Sequence, residues 1–149
     1  MITKKVNRYY CEFCKKSGGN AGYIKKHEMS CTLNPHRICR VCQMDHGDWA
    51  QKEKRQSPLI TLIELLPDPN LYHRDDEIAT WFTSGLTDAV NKVLPKIREL
   101  SSNCPACILA AIRQKGIPVP MVTDFSFTKE MKEIWDEIND MKSSFSLSY

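Results

Sequence analysis

The sequence has no long hydrophobic run, and this absence argues against a membrane-spanning protein. No apolar stretch approaches the roughly 20 residues that a membrane-spanning helix needs. The first ten residues, MITKKVNRYY, are basic and polar and lack the apolar core of a secretory signal. We therefore expect an intracellular, cytoplasmic protein with no membrane partner, in a compartment where thiols stay reduced.

The motifs of two common enzyme classes are also missing. The six glycines do not form a phosphate-cradling loop, and no serine-hydrolase elbow is present. Apart from short cysteine pairs, there is no internal repeat, and there is no low-complexity tract. The sequence therefore predicts a protein that binds rather than an enzyme.

Cysteine, by contrast, is abundant and regularly spaced. The chain of 149 residues has seven cysteines, six of them in three C-x-x-C pairs. In a reducing compartment such pairs favour metal binding over disulfides. The alternative is a set of seven unrelated thiols, which would not need this spacing.

The first group of metal-binding residues lies in residues 9–31, which read YYCEFCKKSGGNAGYIKKHEMSC. Cys11 and Cys14 form a tight pair, twelve residues lead to His27, and three more lead to Cys31. Two thiolates on a turn, with an imidazole and a thiolate one helical turn apart, match the ligand pattern of tetrahedral zinc. The sequence predicts a zinc site built from these four residues.

This segment resembles the two-Cys, two-His zinc-finger family, with Cys31 in place of the last histidine. The resemblance implies a ββα fold in which Tyr9 and Ile24 form a small core. The sequence departs from the family at Gly18, where a bulky apolar residue is usual.

We expect residues 17–19 to form a loose turn at that point. Asn20, which follows this turn, is expected to cap the finger helix.

A second zinc site is predicted from the remaining two pairs, Cys39 with Cys42 and Cys104 with Cys107. Sixty-one residues separate the two pairs. A two-cysteine turn combined with two cysteines at a helix start resembles the treble-clef arrangement. The alternative is that Cys104 and Cys107 are buried core thiols.

With two zinc ions, every cysteine is used and none is left over. Both sites have four protein ligands and leave no position for water, so both are predicted to be structural.

The rest of the chain is predicted to be helical. We expect a short helix over 58–66, a longer one that begins at Asp75 and is kinked or split at Pro95, and a helix from Cys107 to Gly116. Residues 117–127 are expected to be extended, Thr128 to cap a last helix, and residues 143–149 to fray.

The predicted fold is mainly α with a small β component. A basic lead-in and ββα zinc finger occupy residues 1–35, and a helical body held together by the second zinc site occupies residues 36–149.

Charge is unevenly distributed. Residues 1–55 contain twelve lysines and arginines against five acids, whereas residues 56–149 contain nine against thirteen. A basic segment of this kind favours an anionic polymer such as DNA or RNA. The alternative is a solvated surface without a partner.

The finger resemblance also implies which residues contact nucleic acid. The usual base-contacting helix positions fall on Asn20, Gly22, Tyr23 and Lys26, and tyrosines could stack on unpaired bases. The function predicted is a small regulatory factor that binds DNA or RNA. Its predicted contacts are Lys15, Lys16, Asn20, Tyr23, Lys25, Lys26 and Arg37.

Two other functions stay open at this stage. One is a protein–protein interaction module, such as a phage or mobile-element inhibitor of a host enzyme, which docks through the helical body. The other is a treble-clef nuclease that uses Asp45 and His46 with a divalent metal. Two features argue against a nuclease. His46 follows Cys42 by only four residues, which leaves little room for the hairpin that such nucleases need, and Ile108 stands where they tend to have a polar metal ligand.

Overall fold

The computed structural model of the chain describes residues 1–43, 57–72 and 85–146, with side chains as far as residue 140. Within these ranges the fold is mainly helical, with one two-stranded sheet, as predicted. The sheet consists of β1 (Tyr9–Tyr10) and β2 (Ser17–Gly18). The helices are α1 (Ala21–Ser30), α2 (Arg40–Gln43), α3 (Leu59–Leu65), α4 (Leu86–Ser101), α5 (Pro105–Lys115) and α6 (Phe127–Ser146).

The amino-terminal finger has a short hairpin followed by a helix. β1 and β2 pair antiparallel, with Tyr9 opposite Gly18 and Tyr10 opposite Ser17. The loose turn predicted over 17–19 is therefore wrong, because Ser17 and Gly18 form the second strand. Asn20 caps α1 as predicted, since its side-chain oxygen accepts a hydrogen bond from the backbone N–H of Tyr23 at 3.2 Å.

The core of the finger is small and contains no aromatic ring. Ile24 is buried beside Cys11 and Cys31, with Leu33 packed against them. Tyr9 is 38% exposed, so its predicted place in this core is wrong. Its cross-strand partner Gly18 has no side chain to pack against the ring.

Helix α5 lies at the centre of the body. It packs against α3, α4 and α6. Seven of its first eight residues are buried, and four of these are alanine or cysteine: Ala106, Cys107, Ala110 and Ala111. Small side chains let neighbouring helices approach closely, and a helix that is apolar on most sides belongs in a core.

Helix α4 continues through Pro95, which excludes the split that was one of the two predicted outcomes, a kink being the other. Its buried residues recur along one side of the helix on both sides of the proline, as Leu86, Val90, Leu94, Ile97 and Ser101. Pro95 itself lies on the exposed side. Burial of the stripe holds the helix together across the hydrogen bond that proline cannot make.

A tight turn carries α4 into α5. Ser102 and Asn103 both have left-handed backbones, with φ of 50° and 61°. The Asn103 N–H donates to the carbonyl of Arg98 at 2.9 Å. This turn places Cys104 at the N-cap of α5 and Pro105 at its first position, two residues before the predicted start at Cys107. The predicted end at Gly116 is confirmed, with φ of 85°.

The carboxy-terminal part differs from the predicted pattern in three places. Residues 117–127, predicted to be extended, include a 3-10 turn over Val119–Met121. Ser126, not Thr128, caps α6, because its hydroxyl accepts a hydrogen bond from the N–H of Lys129 at 3.4 Å. The helix continues to Ser146, beyond the predicted start of fraying at residue 143.

Two predictions fall on residues outside the described ranges. These are the start of a long helix at Asp75 and the Asp45–His46 pair. Among the helices that the structure does describe, none has both the length and the apolar character that a membrane crossing requires.

Candidate metal centres

The first cluster brings together the four residues predicted from the finger motif. The ligand atoms of Cys11, Cys14, His27 and Cys31 all lie within 4.8 Å of one another. The hairpin presents the first two, α1 presents the imidazole, and Cys31 stands at the C-cap of α1. Cys14 Sγ lies 3.1 Å from His27 Nε2, so the imidazole points directly at the thiol group.

The surroundings of this cluster favour the forms of the side chains that bind metal. Burial raises the pKa of Cys11, but hydrogen bonds from the backbone N–H groups of Cys14 and Phe13 outweigh it and lower the pKa overall. Burial lowers the pKa of His27, and the nearby charge of Lys16 acts in the same direction. Thiolate and neutral imidazole are the ligands that zinc requires.

The second cluster joins two cysteine pairs that are far apart in sequence. Cys39 Sγ lies 3.6 Å from Cys104 Sγ, and Cys42 Sγ lies 3.4 Å from Cys107 Sγ. All four sulfur atoms lie within 4.8 Å of one another. The pairing predicted across sixty-one residues is therefore confirmed. The alternative, in which Cys104 and Cys107 are core thiols without a metal-binding partner, does not fit four sulfur atoms that lie so close together.

Local structure positions each sulfur in this cluster. The backbone N–H of Cys42 donates to Cys39 Sγ at 3.4 Å, as is usual where two cysteines share a turn. Cys104 and Cys107 stand at the start of α5, where the helix dipole favours negative charge. The hydroxyl of Ser57 lies 3.4 Å from Cys42 Sγ.

The four thiols of this cluster shift one another's pKa. Hydrogen bonds from Cys104 and then Cys107 lower the pKa of Cys42 to about 6. Hydrogen bonds with Cys107 and then Cys39 raise the pKa of Cys104. Ionisation of one thiol is thus favoured by hydrogen bonds from its protonated neighbours, whereas a divalent cation would stabilise all four as thiolates.

The spacing of the sulfur atoms fits zinc. A tetrahedron with Zn–S bonds of about 2.3 Å has edges of about 3.8 Å, close to the 3.4 and 3.6 Å between paired sulfurs. A disulfide requires about 2.05 Å, and all seven cysteines are free thiols. Each cluster therefore fits one zinc ion. Because four protein ligands leave no open position for water or substrate, both centres fit a structural role.

A buried arginine links the two centres. Arg37 is 7% exposed, and its Nε and Nη2 donate to the carbonyl of Ser30, the last residue of α1, at 3.3 and 3.2 Å. Its Nη1 lies 3.9 Å from Cys107 Sγ. Four thiolates and one Zn²⁺ carry a net charge of −2, so a guanidinium here offsets charge that is otherwise buried.

This placement corrects the role predicted for Arg37 as a phosphate contact. Its guanidinium is directed into the protein, where it satisfies a carbonyl at the end of α1 and faces the second cluster. The charge of Arg37 alone did not reveal this. A usable signal was its position two residues before Cys39 and six after Cys31.

Further hydrogen bonds hold the finger against the body. The N–H of Ile38 donates to the carbonyl of Met29 at 2.8 Å. From α5, the amide of Gln114 donates to the carbonyls of Thr32 and Asn34 at 2.8 and 3.0 Å. The linker next to the boundary predicted at residue 35 is thus bonded to both parts, and the division into two domains stays a prediction.

The other predicted nucleic-acid contacts lie on the outer surface of the finger. Lys15, Lys16, Lys25 and Lys26 are exposed, as is Tyr23. Lys16 Nζ donates to the hydroxyl of Tyr23 at 2.9 Å and lies 5.3 Å from the centre of its ring.

Asn20 is also exposed, but its side-chain oxygen already caps α1.

Ser57, for which the sequence predicted no role, contacts the second cluster from a position fifteen residues after Cys42. A lone serine in the chain carries no signal of such a role.

Comparison of the chain with protein-family models, with curated proteins and with solved structures finds no match in any of the three.

Purified chain is expected to contain two zinc ions, and loss of one ligand should remove one ion. Cys14→Ala removes a sulfur from the finger centre but none from the body, so the variant should retain one zinc and the helical signal of the body. Native mass spectrometry gives the stoichiometry and circular dichroism the helix content. A Cys14→Ala protein that holds two zincs as tightly as the parent does against a chelator would show that Cys14 is not a ligand.

Replacement of Arg37 should weaken the second centre even though Arg37 is not a ligand. Arg37→Gln removes the cation next to Cys107, so we expect a free energy of unfolding lower by about 2 kcal/mol and faster zinc release to a chelator. Urea unfolding and a colorimetric chelator assay measure the two effects.

Arg40→Gln is the matched control, because Arg40 is exposed and donates to the carbonyl of Lys26, at 3.3 Å, rather than to a ligand of either centre. Equal zinc release from both variants would contradict the linking role of Arg37.

Proposed function

We propose that this protein is a structural-zinc protein that binds nucleic acid, DNA or RNA, through its amino-terminal finger. The observation that carries the proposal is the charge of the finger surface. Residues 1–43 contain nine lysines and arginines but only two acids, Glu12 and Glu28. All the cations except Arg37 are exposed: Lys4, Lys5, Arg8, Lys15, Lys16, Lys25, Lys26 and Arg40.

The contrast between buried and exposed cations supports this proposal. Arg37 is used inside the fold to offset the charge of the second centre. The described hydrogen bonds of Arg8, Lys15, Lys16 and Arg40 run to serine, carbonyl or tyrosine oxygens, not to carboxylates. Within the described ranges these four cations form no ion pair with a carboxylate, so their charge is available to phosphate groups, which dominate nucleic-acid affinity.

We place this activity in the cytoplasm, where seven free thiols remain available to zinc. In this proposal the protein acts by binding, as a small regulatory factor, and both zinc ions serve its shape. A nuclease role would depend on Asp45 and His46, which lie outside the described residues.

A protein partner is the second candidate, favoured by one observation on α6. Trp135 is 47% exposed on this helix, next to the half-buried Ile134 and Ile138. Five of the residues from 130 to 140 are acidic. An exposed tryptophan beside apolar side chains is typical of interaction surfaces. An inhibitor of another protein would use this helix and would not depend on the finger lysines.

The test of nucleic-acid binding uses the zinc-loaded full chain and fluorescently labelled random oligonucleotides, both single-stranded and duplex. Anisotropy titrations across a range of salt concentrations should give a logarithm of affinity that falls linearly with the logarithm of salt. Lys25→Ala with Lys26→Ala should lower affinity about tenfold and reduce the magnitude of the salt slope by about one to two.

Lys129→Ala with Lys132→Ala removes the same charge from α6 and is the matched control. We expect it to leave affinity within about twofold of the parent, because these lysines lie among acids. Equal losses in the two double variants, or no binding even at low salt, would refute nucleic-acid binding by the finger.

A further inference from the structure

We infer that the finger binds unpaired nucleotides, whose bases stack on a tyrosine platform, rather than a duplex groove. The platform is defined as Tyr9, Tyr23 and the side-chain-free Gly18 beside them. This inference rests on the proposed function and adds the class of nucleic acid: single-stranded DNA or RNA, which share the same bases and phosphates.

The helix positions that read a duplex are poorly equipped in α1. The Asn20 side-chain oxygen accepts the N–H of Tyr23 at 3.2 Å, and this hydrogen bond holds the side chain against the start of α1. Gly22 offers no side chain, and a Cβ added there would lie 3.3 Å from that same Asn20 oxygen. Of the four positions implied by the finger resemblance, Lys26 alone presents an exposed charged group. Direct readout of a base pair needs paired donors and acceptors, so little sequence information can be read in this way.

The finger instead leaves its aromatic rings in solvent. Tyr23 is 52% exposed and Tyr9 is 38% exposed, whereas the buried cluster consists of Cys11, Ile24 and Cys31. Rings that contribute little to the core, on a surface rich in cations, are the combination that binds unpaired bases by stacking.

The hairpin places the members of the platform on one side. Tyr9 pairs with Gly18, and cross-strand partners direct their side chains to the same face of a sheet. A Cβ added at Gly18 would lie 3.9 Å from the Tyr23 ring and 3.5 Å from Ile24. The absence of a side chain at Gly18 therefore leaves space next to the Tyr23 ring and Ile24, on the face of the sheet that Tyr9 shares.

A cation lies at the edge of this platform, where a phosphate would follow a stacked base. Lys16 Nζ is 2.9 Å from the Tyr23 hydroxyl and 5.3 Å from the ring centre. The nearest described contacts of Lys16 are therefore to an aromatic residue and not to a carboxylate. Its charge is complementary to the backbone of a strand whose base lies on the ring.

The opposite face of the hairpin provides an internal comparison. Tyr10 pairs with Ser17, whose hydroxyl accepts hydrogen bonds from Arg8 at 3.0 and 2.9 Å. Tyr10 is 58% exposed, but successive strand residues point to opposite faces, so it lies away from the platform.

The experiment compares single-stranded and duplex 12-mers of one sequence, as DNA and as RNA, by fluorescence anisotropy at a fixed salt concentration with zinc-loaded full chain. The single strands should bind at least about tenfold more tightly than the duplexes. Tyr23→Leu should lower single-strand affinity about tenfold and leave duplex affinity within about twofold, whereas Tyr23→Phe, which keeps the ring, should retain single-strand affinity.

Tyr10→Leu is the matched control, because it removes an equally exposed ring from the other face and should change affinity less than about threefold. Zinc content and circular dichroism confirm that each variant is folded, and Tyr9→Leu serves as a second platform variant if Tyr23→Leu loses zinc. The DNA and RNA arms show whether the 2′-hydroxyl contributes.

The outcomes separate the two proposals. Equal or tighter duplex binding, or a Tyr23→Leu protein with parental single-strand affinity, overturns the platform but leaves nucleic-acid binding in place. No binding to any oligonucleotide overturns both.

Discussion

The fold depends on four thiolates that join residues 39–42 to residues 104–107. Sixty-one residues lie between these pairs, so a bound ion closes a long loop. By analogy with a disulfide of the same span, closing such a loop stabilises the folded state by on the order of 4 kcal/mol. The same ion fixes the start of α5, the helix against which α3, α4 and α6 all pack. We therefore expect metal binding to be coupled to formation of the core in the body.

The second centre also determines where the finger sits. Arg37 lies next to Cys107, so its positive charge partly offsets the negative charge of four thiolates and one zinc ion. The same side chain donates to the last carbonyl of α1 and thereby connects the finger to the second centre. The other cations of residues 1–43 stay in solvent, together with Tyr9, Tyr10 and Tyr23. The buried cation thus has a structural role, and the exposed cations are the ones that the proposed binding of phosphates would use. The zinc centres would provide rigidity, and the finger surface would provide the nucleic-acid binding that we propose.

The sequence predicted the metal ligands well because zinc imposes strict spacing on cysteine and histidine. It also predicted the helix end at Gly116, since glycine readily adopts the left-handed conformation there. It could not predict the role of Arg37, because an arginine close to cysteines along the chain can point either into solvent or towards a thiolate. Tyr9 was misplaced since the family pattern assumes a bulky residue where this chain has Gly18. Pro95 does not split α4, because burial of the apolar stripe overrides the break that local propensity favoured, and the predicted kink stays a prediction.

The two ions of this account are bound by seven sulfurs and one imidazole nitrogen in all. X-ray absorption at the zinc edge of freshly purified, untreated chain tests this most directly, because it reports both the donor atoms and their distances. The account predicts a sulfur-dominated shell at about 2.3 Å with a minor nitrogen contribution at about 2.0 Å. A shell dominated by oxygen or nitrogen would contradict it, as would the absence of zinc from protein that is nevertheless folded.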